Sequence, residues 1–106
     1  MPNPHHAPTI LMADDDADDR VLVREACEEG RIHANLQWVD DGEQLMDYLH
    51  QRGRFANPSN APRPSLILLD LNMPRKSGRE ALVEIKQHPN LKSIPVVVLS
   101  TSKAPD

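Results

Sequence analysis

Three aspartates of this 106-residue chain stand directly after short apolar runs. Asp14 and Asp15 follow Ile10 to Ala13, and Asp70 follows Leu66 to Leu69. A hydroxyl, Ser100, follows a further run, Val96 to Leu99. Carboxylates gathered in one place repel one another, and a cation offsets that repulsion. An all-oxygen site with few protein ligands and room for water suits Mg²⁺, with Mn²⁺ as the alternative ion. Such an ion neutralises charge on the equatorial oxygens of a transferring phosphoryl group. A carboxylate is also a competent nucleophile, able to form an acyl phosphate. The Ser100 hydroxyl could then hydrogen-bond a phosphoryl oxygen.

These residues meet only if the surrounding elements bring them together. Thr9 to Ala13 reads as a buried strand that ends at the acids. Asp16 and Asp18 to Arg20 then open a helix, where acidic residues suit the positive end of the helix dipole. Val21, Leu22, Ala26 and Cys27 are expected on its inner face, with Cys27 as a small core residue. Gly30 is its natural stop. Asn35 to Val39 is a second strand, and Asp40-Asp41-Gly42 a turn that can cap the next helix. Leu45, Met46, Tyr48 and Leu49 form the apolar stripe of that helix, which is expected to end near Gly53. Residues 53–65 form a proline-rich surface excursion. Leu66 to Leu69 is apolar at every position, as in a parallel strand buried on both faces. Gly78 precedes a third helix with Leu82, Val83 and Ile85 inward, stopped by Pro89. Ile94 to Leu99 is the fourth strand.

Strands alternating with helices predict an α/β domain with a doubly wound parallel sheet. Right-handed crossovers place helices on both faces. In such a sheet ligands bind outside the carboxyl ends of the strands, at the switch point of strand order. That edge is where Asp14, Asp15, Asp70 and Ser100 would converge.

Composition narrows the function classes. Twelve basic residues against sixteen acidic ones give a net charge of −4, and Trp38, Tyr48 and Phe55 are the only aromatics. Such a chain lacks the positive surface and stacking platform of a nucleic-acid binder. No apolar run approaches a membrane span. The one cysteine excludes an internal disulfide. These features, with no leader at the start, predict a cytoplasmic protein. Residues 1–8 read as a flexible lead-in whose His5 and His6 belong to a solvated tail, and residues 9–106 as the domain. His33, His50 and His88 read as surface residues.

The run Ile10-Leu11-Met12-Ala13-Asp14-Asp15-Asp16, then Leu66 to Pro74 with Gly78, then Ile94 to Ser100, resembles a response-regulator receiver domain of the flavodoxin-like fold. The proline-bearing insertion before Asp70 resembles that of single-domain receivers accompanying bacterial phytochrome kinases. The resemblance implies a two-component switch. Asp70 would be the phosphoacceptor. Asp15 and Asp70 would bind Mg²⁺ by carboxylate, Asp14 through water, and Asn72 through its backbone carbonyl. Ser100 would be the switch hydroxyl. The phosphoryl donor would be a sensor histidine kinase or a phosphotransfer protein. The chain would be no conventional enzyme, catalysing only its own phosphorylation and dephosphorylation.

The family continues beyond the fourth strand with a helix, a strand and a last helix, and its phosphate-contacting lysine follows that fifth strand. Here Lys103 comes too early for the role. The expectation is a receiver lacking its last helix-strand-helix part, with an apolar fourth strand left as an edge that invites a second chain, as in a homodimer. Two rival readings compete. In one, Asp14, Asp16, Asp18 and Glu25 occupy the first, third, fifth and twelfth positions of a calcium loop, although Asp19 stands where glycine normally makes the turn. In the other, a haloacid-dehalogenase phosphatase would need an acid where Asn72 stands. A receiver-like interaction module that is never phosphorylated is the remaining alternative.

Overall fold

A computed structural model describes residues 7–73 and 75–99. Four strands and three helices alternate: β1 (Thr9–Ala13), α1 (Ala17–Glu29), β2 (Asn35–Val39), α2 (Gly42–Leu49), β3 (Leu66–Asp70), α3 (Gly78–Gln87) and β4 (Val96–Leu99). Every strand pairing is parallel, in the order β2-β1-β3-β4. The order reverses between β1 and β3, so the switch point falls at the ends carrying Asp14 and Asp70.

Local signals set the helix starts. Asp16 caps α1 by accepting from the Asp18 N–H at 2.9 Å, with Asp18 and Asp19 in the first turn. Asp41 caps α2 through the Gln44 N–H at 2.8 Å. Ser77 and Glu80 close a reciprocal capping box on α3. Backbone geometry sets the stops. α2 ends at Leu49 rather than near Gly53, because Gln51 turns into the left-handed region at φ 52°. α3 ends one residue before His88, which is extended as the residue preceding a proline must be. β4 begins at Val96, two residues later than the apolar run, because Ile94 is buried outside the ladder.

The register separates the faces. Leu11, Ala13, Val39, Ile67 and Leu69 join Leu45, Met46, Ala81 and Ile85 in one core beneath α2 and α3. Met12, Trp38, Leu68 and Val97 lie in line across the opposite face. There α1 lays Arg20 and Arg24 over the Trp38 ring, at 5.8 and 5.6 Å from its centroid.

Burial corrects several expectations. α1 contains no buried residue: Val21 and Leu22 are exposed, as is Ala26, and Cys27 is half-buried. The partly buried stripe of α1 is instead Arg20, Val23 and Cys27, which recur at helical spacing. Val83 on α3 is exposed, while Ala81 and Ile85 are buried. The described residues bury β3 unequally on its two faces: Ile67 and Leu69 are buried, Leu66 and Leu68 half-buried. Val21, Leu22 and Val83 are apolar, yet no described element covers them. His50 and His88 are half-buried rather than on the surface, in edge-to-face contact at 5.2 Å.

The connection 53–65 has built structure. It holds two 3₁₀ turns, Gly53–Phe55 and Pro58–Asn60. Tyr48 ties it down, donating its hydroxyl to the Pro62 carbonyl at 2.8 Å and meeting the Phe55 ring edge-on at 5.1 Å. Within it, Ala61 and Pro64 are buried.

Candidate metal centre and phosphoacceptor

β1 and β3 deliver their acids to one place. Asp14, Asp15 and Asp70 each offer a carboxylate oxygen within 4.8 Å of the others. Asp14 and Asp70 are fully buried, whereas Asp15 is exposed. The strands do this by pairing Ala13 with Leu69, one residue before the acids. Each buried carboxylate is aimed by its own turn. Asp14 Oδ1 accepts from the Asp16 N–H at 2.8 Å, and Asp70 Oδ1 accepts from the Asn72 N–H at 2.9 Å. Arg20 secures the first turn, donating from Nη2 to the Asp14 carbonyl at 2.9 Å and pairing with Asp40.

The electrostatics of the site ask for a cation. Burial pushes the Asp14 carboxyl up to about 7, and the neighbouring Asp19 and Asp70 add to the rise against the opposing Asp16 N–H. An acid destabilised in its charged form by burial and by other acids is what a hard dication compensates. The donor set is three carboxylates of mixed exposure, which fits Mg²⁺ or Mn²⁺ and leaves an open side for water.

Asn72 is exposed on the connection that follows β3, two residues past Asp70. Ser100, the remaining expected site residue, lies outside the described residues, as do Pro74, His5, His6 and Lys103. The calcium-loop reading is overturned: a strand, not a helix, precedes Asp14, and the acids gathered with it are Asp15 and Asp70, not Asp16, Asp18 and Glu25. A cavity of about 410 Å³ lined by His50, Arg63, His88, Leu91 and Ile94 opens at the other, N-terminal edge of the sheet, away from the acids.

Sequence reasoning left Asp41 as a helix cap and gave Arg75 no role. The structure pairs them, with Arg75 Nη1 at 2.7 Å from Asp41 Oδ2. No spacing signal links two residues so far apart in the chain.

A parallel sheet with acids gathered at its switch point defines an aspartate-centred α/β domain. Comparison with known proteins makes the class specific: residues 10–106 match the response regulator receiver domain, and the chain belongs to that family. It is 50% identical over 97 residues to the response regulator Rcp1 of Synechocystis, covering 92% of this chain and 64% of that protein. It is 35% identical to the probable methanogenesis regulatory protein FilR2 of Methanothrix harundinacea, covering 92% of this chain and 60% of the relative. The chain therefore spans less than two thirds of the length of these two relatives. Among solved structures, the phosphorylated cyanobacterial phytochrome response regulator RcpA superposes with a TM-score of 0.81 at 48% identity, over 92% of this chain and 67% of that one. The Mn²⁺-bound form of Rcp1 superposes equally well, with a TM-score of 0.81 at 49% identity, over 91% and 67%. The flavodoxin-like receiver fold is thereby established, and no helix among the described residues is long and apolar enough to cross a membrane.

Proposed function

We propose that this receiver accepts a phosphoryl group on Asp70 in a Mg²⁺-dependent reaction, from a sensor histidine kinase or a phosphotransfer protein. The observation that carries the reading is the convergence of Asp14, Asp15 and Asp70 within 4.8 Å at the switch point. Asp15 and Asp70 would hold the metal by carboxylate, Asp14 through water, and Asn72 through its backbone carbonyl. When bound, the ion neutralises charge on the phosphoryl oxygens during transfer. An Asp70 carboxylate oxygen attacks phosphorus, the bond to the donor nitrogen or oxygen breaks, and an acyl phosphate results. The Asn72 N–H bond to Asp70 Oδ1 at 2.9 Å holds the carboxylate in one orientation for that attack. Ser100 is the switch hydroxyl in this reading.

The resemblance to RcpA, described as a phytochrome response regulator, supports a phytochrome-type kinase as donor, and a cytoplasmic setting goes with that reading. Mn²⁺ in the related Rcp1 structure supports a divalent ion here. Self-catalysed phosphorylation and dephosphorylation, with no other substrate turned over, completes the reading.

Incubation with acetyl phosphate and Mg²⁺, followed by intact mass measurement, tests it. The wild type should gain the mass of one phosphoryl group, and Asp70→Asn or metal chelation should abolish the gain. A wild type that never gains mass would make the chain a passive interaction module instead.

A further inference from the structure

The connection between β3 and α3 carries Asn72, and its far half is fastened to the start of α2 by contacts that play no part in the chemistry above. Asp41 is buried, 1% exposed, and both its oxygens are engaged. Oδ1 accepts from the Gln44 N–H at 2.8 Å and Oδ2 from Arg75 Nη1 at 2.7 Å. One residue on, the Gly42 N–H donates to the Lys76 carbonyl at 2.9 Å. The approach is so close that a β-carbon at Gly42 would collide with that carbonyl. Arg75 adopts φ 62°, a left-handed conformation that a non-glycine residue seldom adopts unless its surroundings hold it there. At the end of the connection Gly78 packs against the Asp70 carbonyl, again with no space for a side chain.

We infer that Asp41, Gly42 and Arg75 form a clasp that positions the segment between Asp70 and Gly78, and so sets the affinity of the site for its divalent ion. The inference rests on the reading of Asn72 as a backbone ligand. A backbone carbonyl has no side chain of its own to adjust, so its placement depends on how firmly its segment is anchored. A segment tied only at Asp70 and Gly78 would leave the intervening residues free to sample other positions. The clasp supplies a third anchor from a different helix. Its members touch neither metal nor phosphoryl group, so they are positioning residues. They should act on metal binding, with little effect on phosphoryl transfer once the ion is bound.

The test uses Arg75→Ala, which removes a side chain 64% exposed and should leave the fold intact, together with Gly42→Ala, which pushes the same clasp apart from its backbone side. Mg²⁺ binding is followed by calorimetry, phosphorylation by acetyl phosphate across a Mg²⁺ titration, and Gly42 amide exchange in metal-free protein. Loss of a residue supporting a metal ligand typically weakens affinity about tenfold or more. Both variants should therefore raise the half-saturating Mg²⁺ concentration by about that factor and hold the saturated rate within about twofold. Gly42 exchange should quicken in Arg75→Ala without metal present, and Arg75→Lys should restore part of the affinity. Wild-type Mg²⁺ affinity in Arg75→Ala would overturn the clasp, as would a lost saturated rate at unchanged half-saturation. Asp15→Ala separates the two layers. If it binds Mg²⁺ as the wild type does, the metal reading itself is wrong and the inference falls with it, whatever the Gly42 exchange shows.

Discussion

Leu68 and Leu69 are neighbours on β3 with the same side chain and different surroundings. Leu69 is fully buried beneath α2 and α3, and Leu68 is half-buried on the face that α1 shares. The contrast extends across the sheet. On the first face Leu11, Ile67, Ile85 and Met46 are all inaccessible to solvent. On the second, Val97 is 48% exposed, and Leu22 on α1 is 62% exposed. Two helices that touch each other close the first face, whereas among the described residues α1 is the one helix against the second, over the β2 side where Trp38 sits. What matters is whether another element removes the side chain from water.

Substitutions on the two faces should separate by size. Leu69→Ala should cost about 2–5 kcal/mol, because it deletes buried methylenes and leaves a cavity beneath two helices. Leu68→Ala should cost less than about half of that, since much of its surface is already in water. Urea denaturation of both variants tests the pair directly, and equal losses would remove the distinction between the faces.

Asp41, at the rim of the closed face, should give an effect of intermediate size. Burial raises its carboxyl, but the Gln44 N–H and Arg75 outweigh that and hold it below the ordinary value. A depressed carboxyl contributes stability that is present above the unfolded-state value of 3.8 and lost as pH falls through the folded-state value. Asp41→Asn should thus cost about 1 kcal/mol near neutrality, given that Arg75 is largely exposed. The gap to wild type should close on acidification below the usual carboxylate range, as seen in melting temperatures measured against pH. A gap independent of pH would mean that the charge does not matter.

The smallest effect belongs to the open face. Leu22→Ser should change stability by no more than about 0.5 kcal/mol, because no described element covers that side chain. A larger loss in the same denaturation experiment would show that the exposed stripe of α1 is covered in solution.

Much of the site was legible before any coordinates. Short apolar runs bounded by acids mark strand ends whatever the tertiary context, so Asp14, Asp15 and Asp70 could be placed at one edge from pattern alone. The order of elements followed from the same alternation. Helix faces were less legible. Val21, Leu22 and Val83 are apolar and sit within helices, yet they lie outside the core. Periodicity shows which residues share a stripe, not whether anything faces it. The end of α2 was misplaced because Gln51, not a glycine, takes the left-handed turn. The half-buried contact between His50 and His88 depends on how the ends of α2 and α3 meet, which no local pattern records.

The amino-acid sequence by itself determined where strands stop and which acids stand directly after them. Those outcomes depend on residues close together along the chain. Only the folded arrangement decided the raised Asp14 carboxyl, the Asp41–Arg75 pair and the difference between the two faces. Each of these depends on distances through space between groups far apart in the sequence, where burial and electrostatic interaction act.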